Sequence, residues 1–302
     1  MISPLNADEA DTDPGARLTP AKDNPAPPGR STLVRVRLDV SYDGTEFAGW
    51  AMQPGQRTVQ GLLTEALRVL VPDSGPLTVA GRTDAGVHAI GQVAHVDIPT
   101  RAWAEIRNLR AKLSGLLPHD VRVRDVREVS QDFDARFSAL WRRYSYRISD
   151  ASWGVEPMRR GDTLHWRRAL DTEAMQAAAD ALLGTHDFAA YCRRRDAATT
   201  IRDLQELTIR RTDDVIEARV RADAFCHSMV RSLVGALLAV GDGRRNPDWP
   251  RSLLTLPVRA NDVQVAPPHG LTLVEVAYPP AGELAKRSKI TRTARVPAGP
   301  TT

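Results

Sequence analysis

The sequence predicts an α+β fold in which two similar mixed α/β halves share one mostly antiparallel sheet. Short segments alternate apolar and polar residues with the period of a half-buried strand, while longer segments carry an apolar stripe at helical spacing. The order strand, helix, strand, strand, helix, strand runs through the first half, and the second half approximates it. Strands in this mostly antiparallel pattern, mixed with helices, are typical of the α+β class.

The elements of the first half follow from local patterns. Residues 33–40 alternate apolar and charged side chains, which predicts a strand. Thr58 is the predicted N-cap of the first helix and Pro72 ends it. In order, we predict a strand at 33–40, a helix at 58–71, strands at 77–80 and 92–96, a helix at 103–115 and a strand at 121–129.

The second half is predicted in the same way. Tyr144, Tyr146 and Ile148 share one face of a strand, and Gly184 ends an alanine-rich helix. A turn at 212–214 predicts a hairpin. The elements are a strand at 141–148, a helix at 175–183, strands at 202–210 and 215–222, a helix at 227–240 and a strand at 271–278.

Composition divides the chain into four regions. Residues 1–30 are rich in Pro, Asp and Ala and predict a disordered extension, and residues 281–302 predict a basic disordered tail. Between them we expect the N-terminal half at 31–130 and the C-terminal half at 131–280.

Charge and composition narrow the functional classes. Lys and Arg total 41 against 37 Asp and Glu, and paired arginines recur along the chain, which favours a polyanionic partner such as RNA. Crossing a bilayer takes about 20 consecutive apolar residues, and the sequence has no such run. Its acidic N-terminus lacks the apolar core of a signal peptide, so we expect a cytoplasmic protein. Two cysteines and scattered histidines argue against a disulfide scaffold or a structural zinc site.

The loop 81–88, with sequence Gly-Arg-Thr-Asp-Ala-Gly-Val-His, is the strongest candidate site. It presents Asp84 and Arg82 between two strand-like segments, where a rigid scaffold commonly places a reacting group. Taken alone, Asp84 is more simply interpreted as a turn-former, because Asp and Gly are common turn residues. Other segments of the chain decide between these interpretations.

The chain resembles the tRNA pseudouridine synthase A family. The matching segments occur in the family's order over about 240 residues, which is far more specific than one short motif. They are Tyr42-Asp43-Gly44-Thr45, Gly49-Trp50, Thr58-Val59-Gln60, Ala80-Gly81-Arg82-Thr83-Asp84-Ala85-Gly86-Val87-His88, Phe133-Asp134-Ala135-Arg136-Phe137-Ser138-Ala139, Arg143-Tyr144-Ser145-Tyr146, Leu183-Gly184-Thr185-His186-Asp187-Phe188, Ala224-Phe225-Cys226-His227-Ser228-Met229-Val230-Arg231 and Gly270-Leu271. The chain departs from the family pattern at Ala51, at Val96 and at 115–118.

The resemblance implies a pseudouridine-synthase-like fold and an isomerase involved in tRNA processing. The reaction breaks the C1′–N1 bond of a uridine and joins C1′ to C5 of the same base. Asp84 is the expected essential carboxylate, because a carboxylate can add covalently or take a proton. Whether it attacks C1′, attacks C6 or abstracts the 2′ proton stays open.

The resemblance also assigns roles around this acid. Tyr144 is expected to stack on the extruded uracil and to relay the C5 proton. Arg231 is expected to pair with Asp84 and keep it ionised. Taken alone, Tyr144 is more simply a core aromatic and Arg231 a solvated helix residue.

Three further residues are expected to bind substrate. Arg82 matches an arginine that enters the RNA helix, Leu271 an apolar residue that closes the uracil pocket, and His227 a histidine near the RNA. Their alternatives are an exposed loop charge, ordinary strand packing and a structural histidine.

The reaction implied needs neither a cofactor nor a metal ion. The resemblance implies a homodimer that binds the anticodon stem-loop of tRNA and modifies positions 38, 39 and 40. The alternative is a catalytically silent protein of the same fold that binds structured RNA or aids tRNA folding. An unrelated acid-dependent hydrolase is disfavoured, because it needs a second carboxylate in a comparable setting.

Overall fold

A computed structural model of the chain describes residues 32–193 and 199–293. The predictions made for residues 1–30 and for the end of the basic tail lie outside these ranges. Within them, ten strands form one sheet. They are β1 (Leu33–Tyr42), β2 (Thr78–Val79), β3 (His88–Pro99), β4 (Val121–Val129), β5 (Trp141–Ser149), β6 (Leu164–His165), β7 (Gly184–Asp187), β8 (Ile201–Thr212), β9 (Val215–Ala222) and β10 (Leu271–Ala277).

The sheet is mostly antiparallel, as the sequence predicts. Its main path runs β4-β1-β3-β10-β5-β9-β8-β7, with β2 added beside β3 and β6 beside β5. The only parallel pairs among the described strands are β3 with β10 and β5 with β6. The last strand, β10, therefore lies in the middle and joins the strands of the first half to those of the second.

Seven α-helices accompany the sheet in the described ranges. They are α1 (Val59–Leu70), α2 (Thr100–Glu105), α3 (Leu109–Leu116), α4 (Thr172–Asp180), α5 (Met229–Gly241), α6 (Trp249–Ser252) and α7 (Leu284–Arg292). None of them is long and apolar enough to cross a membrane. One buried apolar cluster runs through both predicted halves.

Helix ends show where local signals hold and where they fail. Thr58 caps α1 as predicted, accepting a hydrogen bond from the Gly61 amide. The single helix predicted at 103–115 is wrong. Asn108 has φ 53°, so α2 and α3 do not form one continuous helix. The Asn108 side chain caps α3 by accepting a hydrogen bond from the Ala111 amide. Likewise α5 begins at Met229 rather than 227, because Ser228 has φ 65°.

The predicted disorder of 281–302 is wrong where the structure describes this segment. Residues 284–292 form α7, whose Leu284 is buried. Arg287 donates to the carbonyl oxygens of Ala139 and Leu140, and Arg292 pairs with Asp134. Contacts with a distant part of the chain therefore stabilise a helix whose polar composition gives no sign of it.

Cys192 and Cys226 are joined in a disulfide, although the sequence argues against a disulfide scaffold. The turn at Ala189–Tyr191 packs close to the segment that leads into α5, and the Arg193 amide donates to the His227 carbonyl over 3.0 Å. The bridge therefore ties the end of this turn to the residues just before α5.

Candidate active site

The Asp84 loop (residues 80–87) connects β2 to β3 and is held in place by the end of β1 and the segment after it. The Tyr42 hydroxyl lies 2.7 Å from Thr83 Oγ1, and the Trp50 amide donates to the Thr83 carbonyl over 3.1 Å. Gly49 allows this approach, because it has φ 97° and a Cβ there would lie 2.8 Å from that carbonyl oxygen. Beyond Asp84, the Gly86 amide donates to the Phe47 carbonyl over 3.2 Å, so contacts on both sides of Asp84 fix the loop.

Three side chains, two just before α5 and one in its first turn, converge on the Asp84 carboxylate. Arg231 Nη1 lies 3.3 Å from Oδ2, and His227 Nε2 lies 3.3 Å from Oδ1. Ser228 Oγ donates to Oδ2 over 3.4 Å. The Asp84 side chain is 29% exposed, so it is both held by these groups and open to a ligand.

Arg231 is oriented by its own contacts. It is the only residue of α5 that is not buried, and its side chain is still only 18% exposed. Its Nε donates to the Ala266 carbonyl over 2.7 Å, and the Ala266 amide donates back to the Arg231 carbonyl over 3.0 Å. The solvated-helix interpretation of Arg231 therefore does not hold, because the guanidinium is fixed toward Asp84.

Tyr144 lies on β5 and is buried. Its ring meets the Phe225 ring edge to face, with centroids 5.2 Å apart. Burial raises the pKa of the Tyr144 phenol, and the Asp84 carboxylate acts in the same direction. The hydroxyl therefore stays protonated at neutral pH.

The neighbouring Tyr146 has a structural role, as its position two residues on suggests. It is fully buried, and its hydroxyl donates to the Pro267 carbonyl over 2.8 Å. Leu271 is paired with Tyr146 across β5 and β10 and is also buried. Leu271 thus lies two residues along β10 from Leu273, which pairs with Tyr144.

Arg82 is separate from these contacts. Its side chain is exposed at the loop surface, and it makes no hydrogen bond or ion pair with the described residues. It is therefore available to a ligand that approaches Asp84. No group of three or more His, Cys, Asp or Glu side chains in the described ranges is arranged to hold a metal ion.

Ser228 and Phe225 are site residues that the sequence analysis quoted without giving them a role. A serine directly before a helix is ordinarily taken as an N-cap, so the pattern hides the contact of Ser228 with Asp84. The signal available for Phe225 was its position in the sequence, two residues before His227.

The arginine pair at 142 and 143, one of those that favoured a polyanionic partner, is bound within the protein. Arg142 is buried and donates to the carbonyl oxygens of Ala80, Arg136 and Asp223, while Arg143 forms ion pairs with Glu206 and Glu275. This pair is therefore engaged within the protein and not free to bind phosphate.

Comparison with known proteins identifies the family. A sequence model described as tRNA pseudouridine synthase matches residues 40–138 and 178–279. A "tRNA pseudouridine synthase A" of Frankia casuarinae is 59% identical over 270 residues, covering 89% of this chain and 98% of the relative. Relatives of the same name in Streptomyces avermitilis and Mycobacterium leprae are 59% and 53% identical, covering 87% and 89% of this chain and 94% and 98% of their own lengths.

Solved structures give a weaker likeness. One described as "Structure of H/ACA RNP bound to a substrate RNA containing 2'-deoxyuridine" covers 68% of this chain and 44% of its own, at 11% identity and a TM-score of 0.33. This likeness is too slight to support an argument.

The sheet, the partly exposed carboxylate at its loop and the family match together define a class: the protein is a pseudouridine synthase, an isomerase that modifies RNA. More particularly, the chain belongs to the tRNA pseudouridine synthase family, which isomerises uridine to pseudouridine in tRNA.

Proposed function

We propose that Asp84 is the essential carboxylate with which this chain converts uridine to pseudouridine in tRNA. The observation that carries the proposal is the ion pair between Asp84 Oδ2 and Arg231 Nη1, at 3.3 Å, in a loop that stays partly exposed. The guanidinium is held in place by the Ala266 carbonyl and faces the carboxylate, and a carboxylate can add to the substrate or take its proton.

The proposed roles of the other residues follow from their positions. Tyr144 stacks against the uracil and relays the C5 proton once C1′ and C5 have joined: its hydroxyl gives up its own proton as it takes the one from C5, so that N1 ends protonated and the phenol is unchanged. Arg82 enters the RNA helix, and Leu271 closes the base pocket. His227 contacts Asp84 in the free protein and the substrate when RNA is bound. The isomerisation is balanced within the nucleoside: C1′–N1 breaks, C1′–C5 forms, C5 loses a proton and N1 gains one.

The decisive experiment is tritium release from tRNA that carries C5-tritiated uridine. We expect release with the wild-type protein and none with Asp84→Asn, because the change is nearly isosteric and removes only the reactive charge. Binding of tRNA by Asp84→Asn, followed by filter binding, is expected to be preserved. Product from Asp84→Asn under single-turnover conditions would contradict the assignment.

The target is proposed to be the anticodon stem-loop at positions 38, 39 and 40. Some of these bases are paired, so extruding one costs a few kcal/mol, which contacts with the phosphate backbone offset. Transcripts in which only one of the three positions is a uridine provide the test. Tritium release from each of them, and none from a transcript without uridine at all three, is the expected result.

The protein is further proposed to act in the cytoplasm as a homodimer that contacts one tRNA with both subunits. Light scattering of the purified chain measures its mass, and twice the monomer mass is expected. The alternative function, a silent RNA-binding protein or tRNA folding aid, predicts tight tRNA binding without tritium release from any transcript.

A further inference from the structure

Ser228 occupies a backbone conformation that serine disfavours. Its φ is 65° and its ψ is 7°, in the left-handed region. The Met229 amide donates to the Cys226 carbonyl over 3.1 Å, so Ser228 stands at the third position of a tight turn. Glycine is the residue of lowest cost where the third position of a turn has a positive φ.

The serine also does not perform the usual structural function of its position. It is the N-cap residue of α5, yet its side chain makes no capping hydrogen bond. By contrast, Thr58 and Asp171 have extended backbone angles and cap α1 and α4 through their side chains. Neither backbone preference nor helix capping therefore accounts for a hydroxyl at 228.

The hydroxyl points instead to Asp84. Ser228 Oγ lies 3.4 Å from Oδ2, the same oxygen that Arg231 Nη1 contacts at 3.3 Å. A strained residue that the surrounding structure maintains at a site is a reason to infer a function there. Two donors fixed on one carboxylate oxygen restrict rotation of the Asp84 side chain more than Arg231 does alone.

We propose that Ser228 is a positioning residue that fixes the Asp84 carboxylate for reaction with the uridine. The inference rests on the proposed function of Asp84. The strained turn aims the hydroxyl at Oδ2, and a carboxylate that is free to rotate spends less time in the reactive orientation.

Two substitutions separate the effect of the Ser228 hydroxyl from the effect of the backbone strain at this position. Ser228→Gly removes the hydroxyl and suits the positive φ, whereas Ser228→Ala removes the hydroxyl and keeps the strain of a Cβ. We expect kcat for tritium release to fall about tenfold in both variants, while KM for tRNA changes less than about twofold. The melting temperature of Ser228→Gly is expected to stay within about 2 °C of the wild type.

The matched control is Asp171→Ala. Asp171 is the N-cap of α4, and its side chain accepts hydrogen bonds from the Glu173 and Ala174 amides. We expect the substitution to lower the melting temperature by a few degrees with kcat unchanged. The inference is overturned if Ser228→Gly retains the wild-type kcat, if only Ser228→Ala loses activity, or if kcat falls with stability in Asp171→Ala as well.

The wild-type protein and Asp84→Asn are measured in the same series. Turnover by the wild type but not by Asp84→Asn, together with an unimpaired Ser228→Gly, overturns the inference and leaves the proposed function intact. Absence of turnover by the wild type overturns both.

Discussion

Asp84 and Arg231 are 147 positions apart in the chain, yet their side chains form an ion pair. The two come together because the Asp84 loop follows β2 near the centre of the sheet and α5 begins beside it. Buried Tyr144 completes the group from β5, with a phenol whose pKa burial raises. At the scale of single residues, the site combines one partly exposed acid with groups that the protein holds firmly.

The hydroxyl of Tyr144 provides a test at this scale. Tyr144→Phe keeps the ring against Phe225 and removes only the proton donor, so we expect tRNA binding to be unchanged and kcat to fall about 100-fold at a late step. Single-turnover kinetics with rapid quenching and filter binding measure the two effects.

Tyr146→Phe is the matched control for this prediction. It removes the hydrogen bond to the Pro267 carbonyl and should cost about 1 kcal/mol of stability with little change in kcat. Wild-type single-turnover rates in Tyr144→Phe would instead assign Tyr144 to packing alone.

At the scale of elements, α5 is the part of the fold that positions the site. All its residues except Arg231 are buried, so the helix is fixed on every side. Gly235 permits one of these contacts, because a Cβ there would lie only 1.7 Å from the Gln264 carbonyl oxygen. Two residues further on, the backbone of Ala266 exchanges hydrogen bonds with Arg231.

Gly235→Ala should therefore destabilise the protein by about 3 kcal/mol, because the clash is with rigid backbone. Urea denaturation measures the loss. Gly115→Ala in α3 is the control, since nothing lies within 4 Å of a Cβ there. This exposed helical position should gain about 0.5 kcal/mol. Equal stability of the two variants would show that α5 can shift away from residue 264.

At the scale of the whole molecule, both halves depend on residues from the other. The final strand β10 lies between β3 and β5, so the sheet is complete only when the last part of the chain is in place. Arg142 connects the two halves from the interior, because it donates to the carbonyl oxygens of Ala80 at the start of the Asp84 loop, of Arg136 and of Asp223. Burial lowers the pKa of Arg142, because a charged guanidinium is costly to remove from water. Its three hydrogen bonds offset this desolvation cost.

Arg142→Met should lower the free energy of unfolding by about 2 kcal/mol, since the lost bonds to three carbonyl groups outweigh the relief of burying a charge. Arg142→Lys should recover part of this loss, because its ammonium group retains donors but cannot reach all three carbonyls. Thermal and urea denaturation measure both variants. A methionine variant as stable as the wild type would show that these bonds contribute no net stability.

Local pattern was sufficient for much of the fold. Alternation predicted β1, β4 and β5, because half-buried strands impose a period of two on their side chains, and the turn at 212–214 predicted the β8–β9 hairpin. It failed at Asn108 and at α7. A single left-handed residue does not change the spacing of the apolar residues around it. A polar helix that distant contacts stabilise has no apolar period to detect.

The sequence by itself determined the class of fold and the family, because both are encoded in strand and helix periods and in ordered motifs around Asp84. It also named most of the residues now found near that acid. Only the tertiary structure decided that β10 is central, that Arg142 is buried and that the Ser228 hydroxyl faces Asp84. The physical reason is that these facts depend on contacts between segments far apart in the chain, and such contacts leave no mark on the local pattern of side chains.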